Sequence, residues 1–292
     1  MISKNKTFNF FMGLILIFWV IACIVPFWLL FASSFTSEAS LATNGYSLFP
    51  QSFSLDAYKY LWSVKDSIGH AYLMSFLITT IGVTANITLT LLFAYPLSRR
   101  DLPGRRVISF LLFFTMLFNG GFVPTYMVYS RLLNFKDTLA GMIVPYLLMN
   151  AFYIIMMRTY IMTNVPNEVI EAAKIDGANE FQCLGRIVIP MSRPIIATIG
   201  LMSMIAYWNN WTNGIYFIST RTDLYGIQNY LTAVMNNVTF LQTHMTGAIN
   251  YQMPSISIRM AIAVIAVIPV LVIYPFFQKS FVKGITLGSV KG

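Results

Sequence analysis

Long apolar runs constrain the fold of this chain more than any other feature of its sequence. Six of them approach or exceed the length of about 20 residues that a helix needs to cross a bilayer. They lie at roughly residues 10–33, 71–95, 107–130, 138–157, 195–217 and 257–278. Each run is apolar on all faces, as helices that contact lipid are. The sequence therefore predicts an all-α polytopic membrane protein with six transmembrane helices, organised as a single domain over residues 1–292.

The composition supports a membrane protein and argues against a nucleic-acid partner. Hydrophobic residues make up 57% of the chain and charged residues only 10%, whereas soluble domains are about 25% charged. The formal net charge is +9, but the basic residues form short clusters beside the apolar runs instead of one basic stripe. Such clusters are typical of proteins whose orientation in the membrane is set by lysine and arginine. We therefore expect membrane lipid, and no nucleic acid, as a partner.

The first apolar run is longer than the core of a signal peptide. Lys4 and Lys6 precede an apolar stretch from about Phe8 to Phe31, whereas a signal peptide has a core of about 7–15 residues. The sequence therefore predicts an uncleaved first span. The small residues Ala32 to Ser34 leave a cleavable signal as an alternative.

Lysine and arginine are distributed unequally between the two sides of this predicted topology. The side that contains both chain termini carries 13 of them, and the other side carries six. By the positive-inside rule, the termini face the cytoplasm of a bacterial-type plasma membrane. The outer segments are then about 34–70, 131–137 and 218–256. Apolar residues at helical spacing predict an amphipathic helix over residues 225–237 at the outer surface.

One polar segment on the cytoplasmic side, residues 158–194, has the signals of a helix–turn–helix. Helix-forming residues run from Asn167 to Asp176, after a proline that suits a helix N-terminus. Gly177 stands where a left-handed C-cap is needed. Asn179 can cap a second helix and forms a capping-box pair with Gln182, three residues later. The sequence therefore predicts two short, stiff helices that lie along the membrane surface.

The same segment has the residues of a docking face. Ala172 and Ala173 allow another surface to approach closely. Glu171 and Asp176 offer carboxylates for charge-assisted hydrogen bonds to basic residues of a partner. These residues favour a stiff handle through which an external protein moves the membrane helices. An amphipathic loop that merely covers the membrane surface is the alternative.

The order of these residues resembles the EAA loop of ABC-importer permeases. The matching positions are Glu171-Ala172-Ala173, Asp176-Gly177-Ala178, Ile187 and Pro190. The chain looks most like the maltose-type carbohydrate family, and within it like the subgroup for oligo- and polysaccharides. Further matching positions are Asn119-Gly120-Gly121, Trp208-Asn209 and, in the tail, Gly284, Gly288 and Lys291. The resemblance covers about residues 10–292, which is nearly the whole chain.

This resemblance implies a fold and a set of partners. Members of the family are type I importer permeases, in which the loop forms a coupling helix that seats in a cleft of a cytoplasmic ATPase subunit. By position, Glu171 looks like the acid that pairs with a basic residue there, and Gly177 like the turn that lets the loop fit. The C-terminal tail, about residues 279–292, resembles a tail that reaches between the two ATPase subunits. A second homologous permease and an extracytoplasmic sugar-binding protein complete the expected complex, in which this chain forms half of the translocation pathway.

The sequence lacks the common nucleotide-binding and catalytic motifs. No G-x-x-x-x-G-K-[ST] occurs, so we expect the partner ATPases to bind ATP and Mg²⁺, and this chain to bind no cofactor. H-E-x-x-H, C-x-x-C and G-x-S-x-G are absent as well. His70 and His244 stand apart from other ligand residues, which predicts no metal site and no enzyme active site. Cys23 and Cys183 are expected to be free thiols.

Polar residues inside the apolar runs are candidates for a substrate path, because such residues are costly in lipid. The fifth run contains Tyr207, Trp208 and Asn209, whose aromatic and amide groups suit sugar ring faces and sugar hydroxyls. In the third run, Asn119 precedes two glycines and Pro124, which predicts a break near the midplane. An outer aromatic belt is the alternative for the fifth run, and close helix packing is the alternative for the third.

Two other transporter classes are compatible with parts of this pattern. A non-sugar ABC importer, for example for peptides or polyols, would have the same loop. A secondary transporter driven by an ion gradient usually needs acidic residues in the membrane, and no Asp or Glu lies inside any of the six runs. Asn86 and Asn150 do lie inside runs, and we expect both to form interhelical hydrogen bonds.

Overall fold

The computed structural model describes residues 6–244, 256–269 and 271–272 of the chain. Within these ranges the backbone forms helices, turns and loops, with no strand beyond one isolated antiparallel bridge between Thr36 and Phe53. The all-α prediction is therefore confirmed for the described residues. The helices, in chain order, are α1 (Lys6–Ser34), α2 (Glu38–Asn44), α3 (Asp56–Ser63), α4 (Lys65–Ser98), α5 (Arg105–Leu117), α6 (Phe122–Met127), α7 (Leu139–Ile143), α8 (Ala151–Asn164), α9 (Asn167–Ile175), α10 (Glu180–Cys183), α11 (Ile189–Met191), α12 (Arg193–Trp208), α13 (Thr212–Phe217), α14 (Ile227–His244) and α15 (Ile256–Pro269).

The described residues form two compact units. One contains the residues up to Ser67 and those from Leu231 to Val272, and the other contains Ile68–Tyr230. Among the described residues, two helices are long and apolar enough to cross a membrane by themselves: α1 with 29 residues and α4 with 34. Each has one internal proline, Pro26 in α1 and Pro96 in α4. Membrane helices tolerate proline because neighbouring groups satisfy the backbone that it leaves without a partner.

In the first unit, a carboxylate caps the helix that opens the sixth run. Glu38 accepts hydrogen bonds from the backbone N–H groups of Ile256 and Ser257, both at 3.0 Å. Negative charge at this place stabilises α15, because the first N–H groups of a helix have no partner within it and carry a partial positive charge. Phe35 and Tyr58 stack in the same unit, with ring centroids 4.8 Å apart.

The third apolar run is interrupted at Asn119–Gly121, as the sequence predicts. α5 and α6 meet there at an angle of 114°. Gly121 has φ +88°, a conformation that other residues rarely adopt, and its N–H donates to Oδ1 of Asn119 over 2.9 Å. Residues 107–130 therefore form a bent pair of helices, where the sequence predicts one span with a local break.

The fourth run, residues 138–157, is also not one helix, contrary to the prediction. α7 has five residues, and α8 begins only at Ala151. Between them Tyr146 and Met149 have φ +65° and +58°, left-handed conformations that cost about 1–3 kcal/mol each for residues other than glycine. Pro145 also supplies no N–H donor to a continuous helix. Apolar composition predicts burial here but does not reveal where the helix stops.

Three buried side chains hold this interrupted backbone by donating hydrogen bonds to its carbonyl groups. They are Asn86 to Leu147 (2.7 Å), Tyr207 to Ile143 (3.1 Å), and Asn213 to Met142 (3.1 Å) and Pro145 (3.0 Å). Irregular backbone is tolerated at membrane depth only where protein groups or water satisfy it. These three donors therefore replace the hydrogen bonds that a continuous helix would have made.

The prediction of an interhelical hydrogen bond is confirmed for Asn86 and wrong for Asn150. Asn86 joins α4 to the interrupted run and also accepts a hydrogen bond from Ser203 of α12 over 3.3 Å. Asn150 instead caps α8, because its Oδ1 accepts the backbone N–H of Phe152 over 2.9 Å. The error follows from treating residues 138–157 as one helix, which places a helix start in a helix interior.

The count of six spans stays a prediction. α1 and α4 are each long and apolar enough to cross a membrane. Two bent pairs of helices reach the required length only if each pair counts as one span. The second pair consists of α10–α11 and α12, which meet at 81°. α15 covers the start of the sixth run, and most of the rest of that run lies outside the described residues. α14 covers most of the amphipathic helix that is predicted for residues 225–237.

A buried core in the second unit incorporates the polar segment of residues 158–194. Its members come mainly from α4, α8, α9, α10, α12 and the turn that follows α10, and each is at most 8% exposed. They include Ala94, Met157, Ile170, Cys183 and Val188. The polar segment is therefore part of the folded body, with side chains in the core, and is not a detached surface loop.

Candidate functional site

α9 has one face in the core and one face in solvent. Ile170 is 1% exposed and Ala173 is half-buried, whereas Glu171 and Ala172 are exposed. Helix periodicity explains the division, since positions three residues apart share a face. Of the predicted docking residues, Glu171 and Ala172 are therefore accessible, and Ala173 packs against the core.

α9 ends in the glycine turn that the sequence predicts. Gly177 has φ +85°, and its N–H donates to the carbonyl of Lys174 over 3.0 Å. The N–H of Ala178 donates to the carbonyl of Ala173 over 2.9 Å, which completes a common helix C-cap. A Cβ at Gly177 would meet nothing within 4 Å, so the backbone conformation and not the available space requires glycine. Asp176, beside this turn, is exposed.

The predicted capping box is present at α10. Oδ1 of Asn179 accepts the N–H of Gln182, and Oε1 of Gln182 accepts the N–H of Asn179, both over 2.9 Å. α10 continues through a π-helical turn, Leu184–Val188, into α11. Within this stretch Ile187 is half-buried against the core and Pro190 is exposed. The second arm of the segment is thus a short, capped helical rod.

Glu180 joins both arms of the polar segment to α4. Its carboxylate forms an ion pair with Lys174 of α9 and accepts a hydrogen bond from the Tyr95 hydroxyl over 2.5 Å. The contact with Lys174, followed by that with Tyr95, lowers the pKa of the Glu180 carboxyl below its usual value. No periodic pattern in the sequence links these residues, because 85 positions separate Glu180 from Tyr95.

Two large apolar side chains stand exposed beside the turn. Ile175 is 87% exposed and Phe181 is 79% exposed. Together with the exposed carboxylates of Glu171 and Asp176 they form what we call the coupling surface. Apolar side chains that are exposed and rimmed by charge are typical of protein interaction sites. This arrangement suits a partner cleft with an apolar floor and basic residues at its rim.

The predicted docking residues do not include the two apolar members of this surface. Phe181 is an aromatic residue in an otherwise polar stretch, and that contrast is the signal by which the sequence could have indicated it. Ile175 carries a weaker signal, because an isoleucine near a helix end usually packs inward. The structure places it outward because Ile170 and Ala173 already occupy the buried face of α9.

A cavity of about 370 Å³ lies next to the coupling surface. Its lining joins Phe181 and Glu180 to Tyr95 of α4 and to Arg99, just beyond the end of that helix. Arg99 pairs with Asp101, another lining residue, over 3.2 Å. The cavity is partly open to the surface, so the side chains at the contact between the polar segment and α4 have space beside them.

The comparison that decides the family covers most of the chain. A family model described as the inner membrane component of binding-protein-dependent transport systems matches residues 86–287. This chain belongs to that family. The permease is therefore a membrane component of a transport system, and the match includes both the coupling surface and the candidate substrate path.

Individual relatives match the permease along nearly its whole length. It is 37% identical over 294 residues to the polygalacturonan/rhamnogalacturonan transport system permease protein YtcP of Bacillus subtilis (strain 168), with 99% of this chain and 100% of that protein covered. It is 27% identical to the melibiose/raffinose/stachyose import permease protein MelC of the same strain, with 94% of each chain covered.

A solved structure has the same fold as the permease. It is the crystal structure of a bacterial ABC transporter involved in the import of the acidic polysaccharide alginate. The matching chain has a TM-score of 0.81 and 28% identity, with 96% of this chain and 99% of that chain covered. The predicted type I importer permease fold is thereby confirmed.

The predicted substrate-path residues have different environments in the permease. Trp208 is 7% exposed, and its ring centroid lies 6.3 Å from that of Tyr72. Tyr207 is also buried, and both residues line a cavity of only about 10 Å³, which holds about one water molecule. Asn209 and Asn119 are exposed and lie outside the lining of this cavity. The structure brings two of the four residues together.

Asn213 is a further residue of this region, and it is not among the predicted substrate-path residues. Its side chain is 1% exposed and donates to two carbonyl groups of the interrupted fourth run. The predicted tail contacts Gly284, Gly288 and Lys291 lie outside the described residues. No group of three metal-ligating side chains occurs among the residues that the structure describes.

Proposed function

We propose that this permease is a membrane-spanning subunit of an ATP-driven carbohydrate importer, and that its coupling surface docks on a cytoplasmic ATPase subunit. The two faces of residues 158–194 carry this proposal. One face packs in the core of the second unit, and the other exposes Ile175 and Phe181 beside two carboxylates. A loop that only covered the membrane surface would not need a glycine turn, a capping box and an ion pair to stiffen it.

The substrate class follows from the relatives. YtcP is named for polygalacturonan and rhamnogalacturonan, MelC for three oligosaccharides, and the solved transporter for alginate. All of these are carbohydrates, and the similarity extends over nearly the whole permease. This supports an oligosaccharide or a polysaccharide fragment as the substrate.

In the proposed cycle, the chain works within a larger complex. A second homologous permease completes the translocation pathway, two ATPase subunits bind ATP and Mg²⁺, and an extracytoplasmic binding protein delivers the sugar. ATP binding closes the ATPases and displaces the coupling surface. Because Glu180 binds Tyr95 and Ile170 packs in the core, that displacement moves α4 and the helices around it. The termini and the coupling surface then lie on the cytoplasmic side.

The sugar path is proposed to include Trp208. In the described structure its indole Nε1–H is buried without a hydrogen-bond partner, which leaves a donor for a sugar hydroxyl. The adjacent cavity of about 10 Å³ is too small for a sugar ring, so transport requires this region to open. Tyr207, Asn209 and Asn119 stay predicted members of the path, as Gly284, Gly288 and Lys291 stay predicted contacts of the tail.

Removing the apolar part of the coupling surface tests the docking proposal. The double variant Ile175→Asp/Phe181→Asp replaces exposed side chains, so we expect normal membrane insertion and thermal stability. Retention of the ATPase on the tagged permease should fall by about tenfold or more, as for central apolar residues of other interfaces. Phe49→Asp is the matched control, because Phe49 is 73% exposed and lies in a predicted outer segment. Equal ATPase retention by all three proteins would refute the docking role.

A substrate screen tests the carbohydrate proposal separately. The complete complex with its binding protein is reconstituted in proteoliposomes, and ATP hydrolysis is measured with oligosaccharides, peptides and polyols. We expect stimulation by oligosaccharides, and a reduced response when Trp208 is replaced by alanine. Stimulation by peptides or polyols alone would assign the permease to a non-sugar importer, even if the docking result stands.

A further inference from the structure

A second cavity, beside the end of α4, is strongly basic. Its volume is about 770 Å³, and its lining includes Arg100, Arg105, Arg106 and Arg158. We call it the arginine cavity. Among the described residues that line it, none is acidic. It shares no residue with the coupling surface or with the predicted substrate path, so the proposed function leaves it unused.

Two of these arginines converge on a single neutral acceptor. Nε of Arg105 and Nε of Arg158 both donate to the carbonyl of Leu97, over 2.9 Å and 3.0 Å. Positive charge suits this carbonyl, because Leu97 lies in the last turn of α4. One carbonyl does not neutralise two guanidinium groups, however. The acid nearest in sequence, Asp101, pairs with Arg99 and lines the other cavity.

Uncharged hydrogen-bond donors also face this cavity. The hydroxyl of Ser109 is buried and has no hydrogen-bond partner in the described structure. The cavity also contains the start of α5, a helix of 13 residues whose N-cap, Gly104, has no side chain to cap it. The first N–H groups of a helix carry partial positive charge and bind anions readily. Guanidinium, hydroxyl and helix terminus therefore all favour the same kind of ligand, a compact anion.

The surface next to the cavity is apolar, and this favours an anion that has an apolar part over one that is polar throughout. On α5, directly beyond the arginines, Val107 is 62% exposed, Phe110 is 63% exposed and Leu111 is 53% exposed. These side chains belong to an apolar run that is predicted to contact lipid. A ligand that fits both regions has an anionic head and an apolar body. Clusters of arginine at the cytoplasmic end of membrane helices bind the headgroups of anionic lipids in this way.

We propose that the arginine cavity binds the phosphate of an anionic phospholipid, with the acyl chains lying along the exposed apolar side chains of α5. Arg105 and Arg158 are held in place by Leu97, and Nη2 of Arg105 also donates to Sδ of Met162 over 3.2 Å. Their other N–H groups face the phosphate together with Arg100 and Arg106. The Ser109 hydroxyl donates to the same group. This site is independent of which substrate the permease transports and of how the ATPase docks.

Lipid binding to the assembled complex tests this proposal. The complete complex is placed in nanodiscs of phosphatidylcholine with added phosphatidylglycerol, and the lipids retained are counted by native mass spectrometry. We expect selective retention of phosphatidylglycerol by the unmodified complex. Arg105→Gln/Arg158→Gln should lower its apparent affinity by about tenfold or more, because each arginine near an anionic surface contributes about fivefold.

Two further double variants make the result specific. Arg186→Gln/Arg193→Gln removes the same number of charges from the polar segment and should leave lipid retention unchanged. Arg100→Gln/Arg106→Gln removes two exposed side chains of the cavity without touching the contacts to Leu97. It should lower the affinity even if the Arg105/Arg158 variant does not fold.

Three outcomes would overturn the proposal. The first is equal retention of phosphatidylcholine and phosphatidylglycerol by the unmodified complex. This result is also expected if an acidic segment of a partner protein fills the cavity. The second is an equal loss of phosphatidylglycerol retention in the Arg186→Gln/Arg193→Gln control. That result would mean that the overall surface charge, and not the arginine cavity, retains the lipid. The third concerns a free anion: if inorganic phosphate in lipid-free detergent raises the melting temperature as much as phosphatidylglycerol does, the site binds phosphate and not lipid.

Discussion

The polar segment of residues 158–194 and the interrupted run of residues 138–157 both depart from plain membrane helices, and they do so in opposite ways. The polar segment is stiffened by contacts among near neighbours, such as the glycine turn and the capping box. The interrupted run is held by donors from α4, α12 and α13, more than 60 residues away in each case. The turn and the cap of the polar segment are specified locally, although Glu180 also contacts Tyr95 of α4, whereas the interrupted run depends on distant side chains.

This difference fits the roles proposed for the two regions. A locally rigid segment keeps its shape when a partner pushes on it, which is what docking requires. A segment whose backbone is satisfied by distant side chains changes when those helices move, which is what a transport pathway requires. Variants should therefore affect the two regions differently, with global stability sensitive in the interior and partner binding sensitive at the surface.

The largest effect on stability is expected from Asn213→Leu. The substitution leaves two buried carbonyl groups without a donor, and each unsatisfied group costs about 1–3 kcal/mol. Thermal unfolding in detergent should therefore begin several degrees lower than for the unmodified permease. Asn209→Leu serves as the control, since Asn209 is exposed and lies only a few residues away. If both variants unfold at the same temperature, the interrupted run does not depend on its distant donors, and the proposed difference between the two regions is wrong.

A smaller and more local effect is expected from Gly177→Ala. A left-handed backbone conformation costs an alanine about 1–2 kcal/mol, although the space around Gly177 is open. The turn should fray while the helices stay folded, so ATPase retention falls several-fold and the melting temperature changes little. Gly185→Ala is the matched control, because its Cβ also meets nothing and its φ is not positive. A large drop in melting temperature for Gly177→Ala alone would mean that the polar segment is not locally specified.

The smallest effect is expected from Glu180→Gln. Its pair with Lys174 is partly exposed, so the loss of the charge should cost well under about 1 kcal/mol. Because the folded-state pKa of Glu180 is lowered, its contribution is present above the usual carboxyl pKa and disappears as the pH falls through the folded value. Melting temperatures measured from about pH 6 down to about pH 3 should therefore converge for the two proteins at the acidic end, below the folded-state pKa. A constant difference across this range would assign the effect to lost packing and not to charge.

Much of the polar segment could be predicted from sequence, because its signals are local. Gly177 marks a left-handed turn by residue type alone, and Asn179 with Gln182 marks a capping box by spacing alone. Glu180 carries no such signal, since its partner Tyr95 is determined by the packing of α4. The outward direction of Ile175 likewise depends on which residues already fill the core.

The interior was less predictable for the same reason. The apolar composition of residues 138–157 indicates that this segment is buried. The same composition fits one continuous helix or two shorter helices, so it does not reveal the break. The break becomes evident only once Asn86, Tyr207 and Asn213 are seen to donate to the carbonyl groups there. Asn150 was placed wrongly because a cap and an interhelical donor differ in three dimensions and not in residue type.

The final turn of α4 is held from three directions at once. Glu180 of α10 accepts a hydrogen bond from the Tyr95 hydroxyl, while Arg105 of α5 and Arg158 of α8 donate hydrogen bonds to the Leu97 carbonyl. A helix that three neighbouring helices contact at one end resists rotation about its own axis and resists bending near those contacts. In the proposed cycle, a displacement of the polar segment would therefore move the whole of α4, including Asn86 near its middle, together with the start of α5 and the middle of α8.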